Sequence, residues 1–155
     1  CYDGKRVFNY LSKVNNGESR NIIKNDRKIN SIKKQYDSTE FNNDESCLGY
    51  TIDVYQETIN QYIREYLVNF DYFTELMSSY GFKLEGNPFI KSKKEALGSF
   101  EELFNLLLET KKQNKEYEHI KDMSDEEKII SFMNNYFIYV KITEVDVESV
   151  YNSYI

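Results

Sequence analysis

Apolar residues recur at helical spacing in several parts of the chain. The spacing predicts a short helix after Asp3-Gly4 and a longer one after Asp71, which we expect to cap a helix that ends at Gly81. Two segments, Ser99-Phe-Glu-Glu102 and Ser124-Asp-Glu-Glu127, have the spacing of a capping box. Each predicts a helix that begins directly after its serine.

Other apolar runs have the pattern of strands. Two short strands are expected around Asn25-Asp26, and residues 50–55 alternate in the period of a half-buried strand. A further strand is predicted at 82–85. The run from Tyr136 to Ile142 is continuously apolar, which is typical of a strand buried on both faces. Residues 61–70 fit neither pattern, and the structure after Thr143 is left open.

Size and charge limit the possible classes of protein. The chain has 155 residues and 40% hydrophobic content, which is enough for one core, so we expect one domain or part of one. It opens on Cys1 and enters a helical pattern almost at once, which favours a piece of a longer protein. The net charge of -6 argues against a protein that binds nucleic acid mainly by neutralising phosphates. Any contact with RNA should therefore be local.

Cationic residues nevertheless cluster in one stretch whose only acid is Asp26. A solvated loop or edge strand is the simpler interpretation, and a path for RNA phosphates is the alternative. The stretch contains Arg20, Lys24, Arg27, Lys28, Lys33 and Lys34.

Motifs alone do not define a reaction. The sequence has no Gly-rich nucleotide loop, no H-x-x-x-H pair and no G-x-S-x-G, and His119 is expected to be solvated. Cys1 and Cys47 have neither metal-site spacing nor the number of a disulfide framework, which favours a reducing compartment. Neither a membrane span nor a signal peptide is evident. We expect a soluble, intracellular protein without a metal or a membrane partner.

Two adjoining segments carry a family resemblance. They are Leu48-Gly-Tyr-Thr-Ile-Asp-Val-Tyr-Gln-Glu-Thr-Ile-Asn60 and Arg64-Glu-Tyr-Leu-Val-Asn-Phe70. The second, with the helix after Asp71, resembles the Glu-aromatic-Leu-Val-x-Phe stretch and following helix of mRNA cap guanine-N7 methyltransferases. The first is similar to the strand that precedes it in that family, with Gly49 and Ile52-Asp53-Val54 in place of a Gly and a Tyr-Asp-Phe-like triplet.

Both ends of the chain extend this likeness. Residues 131–142 resemble the last helix turn and closing strand of the family, in which a Tyr begins an apolar run. The opening Cys-Tyr-Asp-Gly-Lys-Arg-Val-Phe-Asn most resembles the versions in the capping enzymes of large DNA viruses, where it follows the fifth sheet strand. The match covers nearly the whole chain up to Ile142.

The resemblance implies an α/β fold. The chain would be the C-terminal half of a Rossmann-like class I S-adenosylmethionine-dependent methyltransferase with an inserted antiparallel cap-binding lobe. The lobe would span residues 18–60 or so, and residues 61–142 would complete the sheet, with the last strand antiparallel. Residues 143–155 would form a tail.

The resemblance also implies a site for the cap guanine. Glu65 matches the glutamate that accepts hydrogen bonds from the Watson–Crick edge. Guanine presents N1–H and N2–H side by side, and an ionised carboxylate has two acceptor oxygens to meet them, whereas adenine lacks this donor pair. Tyr136 matches the tyrosine that packs against the base. Tyr50 and Val54 are expected to wall the pocket, although the family usually has an aromatic residue in place of Val54.

Each of these residues also has an ordinary structural interpretation. Glu65 could be a surface glutamate beside Arg64, and Tyr136 a core tyrosine in a buried strand. The sequence alone leaves these alternatives open.

The family transfers a methyl group from S-adenosylmethionine to N7 of the cap guanine. This in-line displacement needs no base, because N7 has a free lone pair, and it depends on proximity, orientation and electrostatics. The cofactor loop and a His-Tyr pair that orients the cap lie upstream in the family and have no counterpart here. We therefore expect the chain alone neither to bind the cofactor nor to methylate.

The implied partners are the capped 5′ end of mRNA, the upstream half of the methyltransferase, and triphosphatase and guanylyltransferase domains. The implied location is the host cytoplasm or the virion. Two other hypotheses remain: a catalytically inactive subunit that stimulates or scaffolds a capping complex, and a generic α/β binding module whose resemblance is accidental.

Overall fold

A four-stranded antiparallel sheet with the order β1-β2-β3-β4 forms the first half of the fold. The computed structural model describes residues 1–88, 90, 93–110 and 115–154. The strands of this sheet are Ser19–Lys24 (β1), Arg27–Lys34 (β2), Thr51–Gln56 (β3) and Gln61–Tyr66 (β4).

The turn between β1 and β2 explains the predicted hairpin. Asn25 and Asp26 have φ of 50° and 61°, the left-handed conformation that a tight two-residue turn requires and that Asn and Asp tolerate. The hairpin and the strand at 51–56 are confirmed. The segment 61–70, which the sequence left open, contains the edge strand β4.

The register gives this sheet two distinct faces. Ile52 lies opposite Glu65, and Val54 lies opposite both Ile32 and Ile63, so these side chains share one face, which we call the inner face. Ile32, Ile52 and Val54 are buried there, and they belong to one core with Val7 and Leu11. The opposite, outer face carries Thr51, Asp53, Tyr55, Tyr62, Arg64 and Tyr66.

A bulge interrupts the pairing of β1 with β2. Ile22 pairs with Asn30 and Ile23 pairs with Lys28, so Ile29 is the additional residue. Ile29 and Asn30 line the same cavity. Lys28 instead lies over the ring of Tyr55, with 4.3 Å between its Nζ and the ring centroid. The bulge therefore places Lys28 on the outer face.

Two helices flank this sheet in sequence. They are Gly4–Tyr10 (α1), whose N-cap is Asp3, and Phe70–Ser79 (α2). The prediction that Asp71 caps α2 is wrong, because the Asn69 side chain accepts from the backbone amides of Asp71 and Tyr72. Asp71 lies in the first turn of α2, where its charge is favourable. Gly81, with φ of 79°, follows the end of α2 as predicted.

The second half of the fold centres on residues 134–142. Here Asn135–Phe137 (β7) pairs with Leu97–Ser99 (β6), and Tyr139–Lys141 (β8) pairs with Phe82–Leu84 (β5). Both pairings are antiparallel. On the other edge, Tyr2 forms an antiparallel bridge with Asn134, and the backbone amide of Asn135 donates to the carbonyl of Cys1 at 2.9 Å.

The opening residues join the two halves of the fold. Asp3 forms a parallel bridge with Val68, just after β4, while Tyr2 contacts Asn134 on the other side. The Gly4 amide also donates to the carbonyl of Val68 at 2.9 Å. The first residues therefore hold the end of β4 next to the start of β7.

The prediction that residues 136–142 are buried on both faces is wrong. Phe137 and Tyr139 pack against Phe73 of α2, but Phe137 and Val140 are each 38% exposed and Ile142 is 63% exposed. The apolar run correctly indicated a strand. It did not indicate that residues on both of its faces would stay partly exposed.

The remaining elements follow from their caps. Helix α3 (Phe100–Thr110) begins after Ser99, and helix α4 (Asp125–Phe132) begins after Ser124, both with the reciprocal hydrogen bonds of a capping box. Asp146 caps a final helix, Val147–Asn152 (α5). Short 3-10 helices occupy Glu45–Cys47 and Lys115–Asp122. The fold is mixed α/β, and none of the helices in the described ranges has the length and apolarity to cross a bilayer.

Candidate functional site

Glu65 lies on the inner face of β4, opposite the fully buried Ile52. Its side chain is half-buried rather than free in solvent. The neighbouring Arg64 projects from the outer face, where its Nε donates to Asp53 Oδ1 at 2.8 Å. Arg64 therefore pairs with Asp53, and Glu65 is not half of an ion pair with its neighbour.

The carboxylate of Glu65 can accept hydrogen bonds from a ligand. Within the described residues, no donor is hydrogen-bonded to its carboxylate oxygens. Burial raises the pKa of Glu65, and the nearby ammonium group of Cys1 acts in the opposite direction. A half-buried carboxylate of this kind accepts hydrogen bonds from water or from a ligand that displaces the water.

Tyr2 and Asn30 extend the polar surroundings of Glu65 on the inner face. Tyr2 is buried, and burial together with the negative charge of Glu65 raises its pKa to about 12, while the Asn30 side chain acts in the opposite direction. Asn30 is only 2% exposed, and its Oδ1 has no hydrogen-bond partner within the described residues. Such unsatisfied buried acceptors are rare and call for an explanation.

Tyr136 lies in β7, directly after Asn135, which pairs with Cys1. The Cys1 ammonium, close enough to affect the Glu65 pKa, donates to the carbonyl of Asn135 at 3.1 Å. Tyr136 follows directly, but its ring leans across Gly98 of β6, and its hydroxyl accepts from Asn87 Nδ2 at 2.9 Å. Glu65 is thus linked to the opening segment through the Cys1 ammonium, and the strand of Tyr136 is linked to it through Asn135, while the Tyr136 ring leans toward β6.

Tyr50 and Val54 have packing roles on the inner face. Val54 has no exposed surface. The Tyr50 ring stacks on Tyr36, with 5.0 Å between centroids, and its hydroxyl donates to the carbonyl of Glu40 at 3.3 Å. Phe8 and Phe41 complete this aromatic cluster. Contact of either residue with a guanine stays a prediction.

Three cations of the basic stretch have polar partners within the chain. Lys24 pairs with Glu127 at 2.9 Å, and Arg27 pairs with Glu57. Arg20 donates to the carbonyl of Tyr10 at 2.7 Å. These contacts favour the interpretation of an edge strand for this part of the stretch, while Lys28 and Lys33 remain on the outer face.

The sequence did not predict Tyr2 or Asn30 as site residues. Asn30 is recognisable in the sequence as a polar residue two positions before Ile32, on the same face of β2. Tyr2 belongs to the opening segment that carried the family resemblance. Their proximity to each other depends on pairings across the sheet and with residues 134–135. Neither pairing can be inferred from local spacing.

Comparison with models of known protein families gives no match, and comparison with curated proteins gives none either. The residues and their geometry therefore carry the functional argument.

Proposed function

We propose that this chain is the part of an mRNA cap guanine-N7 methyltransferase that recognises the cap guanine. Glu65 accepts the N1–H and N2–H groups of the base. The observation that carries this proposal is a half-buried carboxylate on the inner face that lacks donors within the described residues and lies near a buried phenol. Guanine supplies the two adjacent donors that such a group needs.

The arrangement of the second half supports the fold that the proposal requires. Residues 1–2 and β5 both pair antiparallel with the segment 134–142, on opposite edges. A closing strand antiparallel to its neighbours is expected for the C-terminal half of a Rossmann-like methyltransferase. The four-stranded sheet lies between α1 and α2 in sequence, which suits an inserted lobe that continues to Tyr66.

The proposed task of these residues is to bind and orient the base. A guanine held by its Watson–Crick edge presents N7 from the opposite side of the ring system, and N7 attacks without losing a proton. Orientation of this kind can account for much of the rate of a displacement reaction. Tyr136 fits the stacking role less directly than the family suggests, because its ring lies over Gly98.

S-adenosylmethionine would supply the methyl group. The sequence contains no Gly-rich loop that could hold it, so no residue of this chain is assigned to the cofactor. The proposal therefore places the cofactor site in upstream sequence of a longer protein that acts on capped 5′ ends in the host cytoplasm or the virion. Triphosphatase and guanylyltransferase domains would be its functional partners.

A comparison of two cap analogues tests the role of Glu65. We expect the chain to bind GpppA more tightly than ApppA in calorimetric titrations, and Glu65→Gln to remove this preference. A hydrogen bond to a charged group contributes about 1.5–3 kcal/mol, so the variant should lose about 10- to 150-fold in affinity for GpppA. Glu144→Gln is the matched control, because the Glu144 side chain is 93% exposed. Equal binding of both analogues by the unmodified chain would refute the proposal.

Two activity assays separate the proposal from its alternatives. The chain alone should not methylate capped RNA, and detection of N7 methylation would contradict the assignment of the cofactor site to upstream sequence. In the complete protein, Glu65→Ala should abolish cap methylation while circular dichroism stays unchanged. Unchanged methylation would remove Glu65 from the site.

A further inference from the structure

The outer face of the four-stranded sheet carries three tyrosines. Tyr55 and Tyr62 face each other across β3 and β4, with 5.3 Å between ring centroids. Tyr62 is 50% exposed, and Tyr66, farther along β4, is 62% exposed. Solvated sheet faces normally carry polar residues, so a set of exposed rings on one face suggests a binding surface.

Cations surround these rings. The Lys28 Nζ lies 4.3 Å from the centroid of Tyr55 and 5.7 Å from that of Tyr62. Lys33 and Arg64 lie on the same face through their pairings with Asp53. Asp53 is the only carboxylate among the strand residues described on this face, and it is held by Arg64 and by Gln35. The face is therefore locally positive in a chain of net charge -6.

The spacing along β4 suits an extended polymer. Tyr62 and Tyr66 are four residues apart on one strand, which separates them by about 13 Å. Arg64 lies between them on the same face. Rings alternate with a cation along the strand, an order that matches the alternation of bases and phosphates in a single-stranded nucleic acid.

We propose that the outer face binds single-stranded RNA, with bases stacked on Tyr62 and Tyr66 and phosphates next to Lys28, Lys33 and Arg64. The identity of the polymer as RNA rests on the proposed function, whereas the stacking and the charge do not. Stacking on tyrosine tolerates any base, so the surface holds RNA without reading its sequence. The inner face then recognises the cap, and the outer face holds a part of the transcript farther from the cap.

Fluorescence anisotropy with a labelled, uncapped oligouridylate tests the stacking. Tyr62→Ala and Tyr66→Ala should each weaken binding about 5- to 150-fold, while Tyr62→Phe should retain it, because stacking needs the ring and not the hydroxyl. Tyr151→Ala is the matched control, since Tyr151 is 58% exposed and lies on α5. Absence of binding by the unmodified chain, or equal effects of Tyr62→Ala and Tyr151→Ala, would overturn the proposal.

The salt dependence tests the cationic contacts. For single strands the slope of log affinity against log salt changes by about 0.7 for each phosphate contact. Lys28→Ala and Lys33→Ala should each reduce the slope by about that amount, whereas Lys13→Ala, outside the sheet, should not. Slopes unchanged in both variants would exclude phosphate contacts at this face and favour a protein as its partner.

One variant separates the two proposals. Glu65→Gln changes the inner face, so it should leave oligouridylate binding unchanged even where it removes the preference for GpppA. If the unmodified chain binds oligouridylate but does not prefer GpppA to ApppA, only the proposed function is refuted. If the unmodified chain prefers GpppA but does not bind oligouridylate, only the outer-face proposal is refuted.

Discussion

Replacement of Ile52 by Ala tests the assignment of faces on which both proposals depend. Ile52 has no exposed surface and packs in the core with Val7, Leu11 and Ile32. It also lies opposite Glu65 in the register of β3 and β4. A slip of the register by one residue would move every side chain of β4 to the other face. Stability measurements can therefore reveal which side chains are inside.

The expected loss follows from burial. Truncation of a buried isoleucine to alanine removes apolar contacts and leaves a cavity, which typically costs about 2–5 kcal/mol. For a chain of this length, a loss of that size lowers the melting temperature by about 4–20 °C. Thr51→Ala, at the neighbouring position on the outer face, should cost less than about 1 kcal/mol, because Thr51 is only half-buried.

Urea unfolding followed by circular dichroism measures both variants under the same conditions. The reasoning would be refuted if Ile52→Ala lost less than about 1 kcal/mol while Thr51→Ala lost more than about 2 kcal/mol. That result would place the odd-numbered residues of β3 in the core. Glu65 would then lie on the solvated face, and the site proposed for guanine would not exist.

Three further predictions follow from particular contacts. Burial raises the pKa of Glu65, so GpppA binding should weaken as pH falls through that raised pKa, and Glu65→Gln should not show this pH dependence. Because ionisation of Glu65 is less favourable in the folded state than in the unfolded state, Glu65→Gln should be at least as stable as the unmodified chain at neutral pH. Gly81→Ala should lose more stability in urea than Gly17→Ala. Both glycines have φ near 80°, a conformation that costs alanine about 1–2 kcal/mol. At Gly81 the new Cβ would also lie 2.1 Å from the carbonyl oxygen of Thr143, whereas at Gly17 it would meet no atom within 4 Å. Lys24→Met should raise the pKa of Glu127 from about 2 toward its usual value in an NMR titration, because the hydrogen bond from Lys24 is the main cause of the shift.

Local chemistry was sufficient to predict many of the elements. The capping boxes at Ser99 and Ser124 defined where two helices begin, and Asn25-Asp26 defined the turn of the first hairpin, because these features act within a few residues. The cap of α2 was misassigned, since Asn69 and Asp71 are both good capping residues and only the backbone conformation selects between them. The unpredicted edge strand β4 depends on its pairing with β3.

Burial and the surroundings of the site depend on contacts between distant residues. The apolar run at 136–142 indicated a strand, but residues on both of its faces stay partly exposed even where α2 packs against it. The resemblance selected Glu65, and the structure locates it on the inner face. The neighbouring Tyr2 and Asn30 were missed, because their proximity results from pairings that join residues far apart in sequence.

The extra residue in β2 has a consequence for how charge is distributed between the two sides of the sheet. If residues 28–30 alternated regularly with Ile29 retained, the amino group now lying on Tyr55 would belong to the side that packs against α1. Deletion of Ile29 would remove the bulge and place Lys28 directly before Asn30, so the cation would stay beside the tyrosines. The bulge therefore accommodates one additional residue and still keeps Lys28 on the outer face. The backbone conformation of a hairpin arm, as much as the identity of its residues, then decides whether this surface attracts a polyanion.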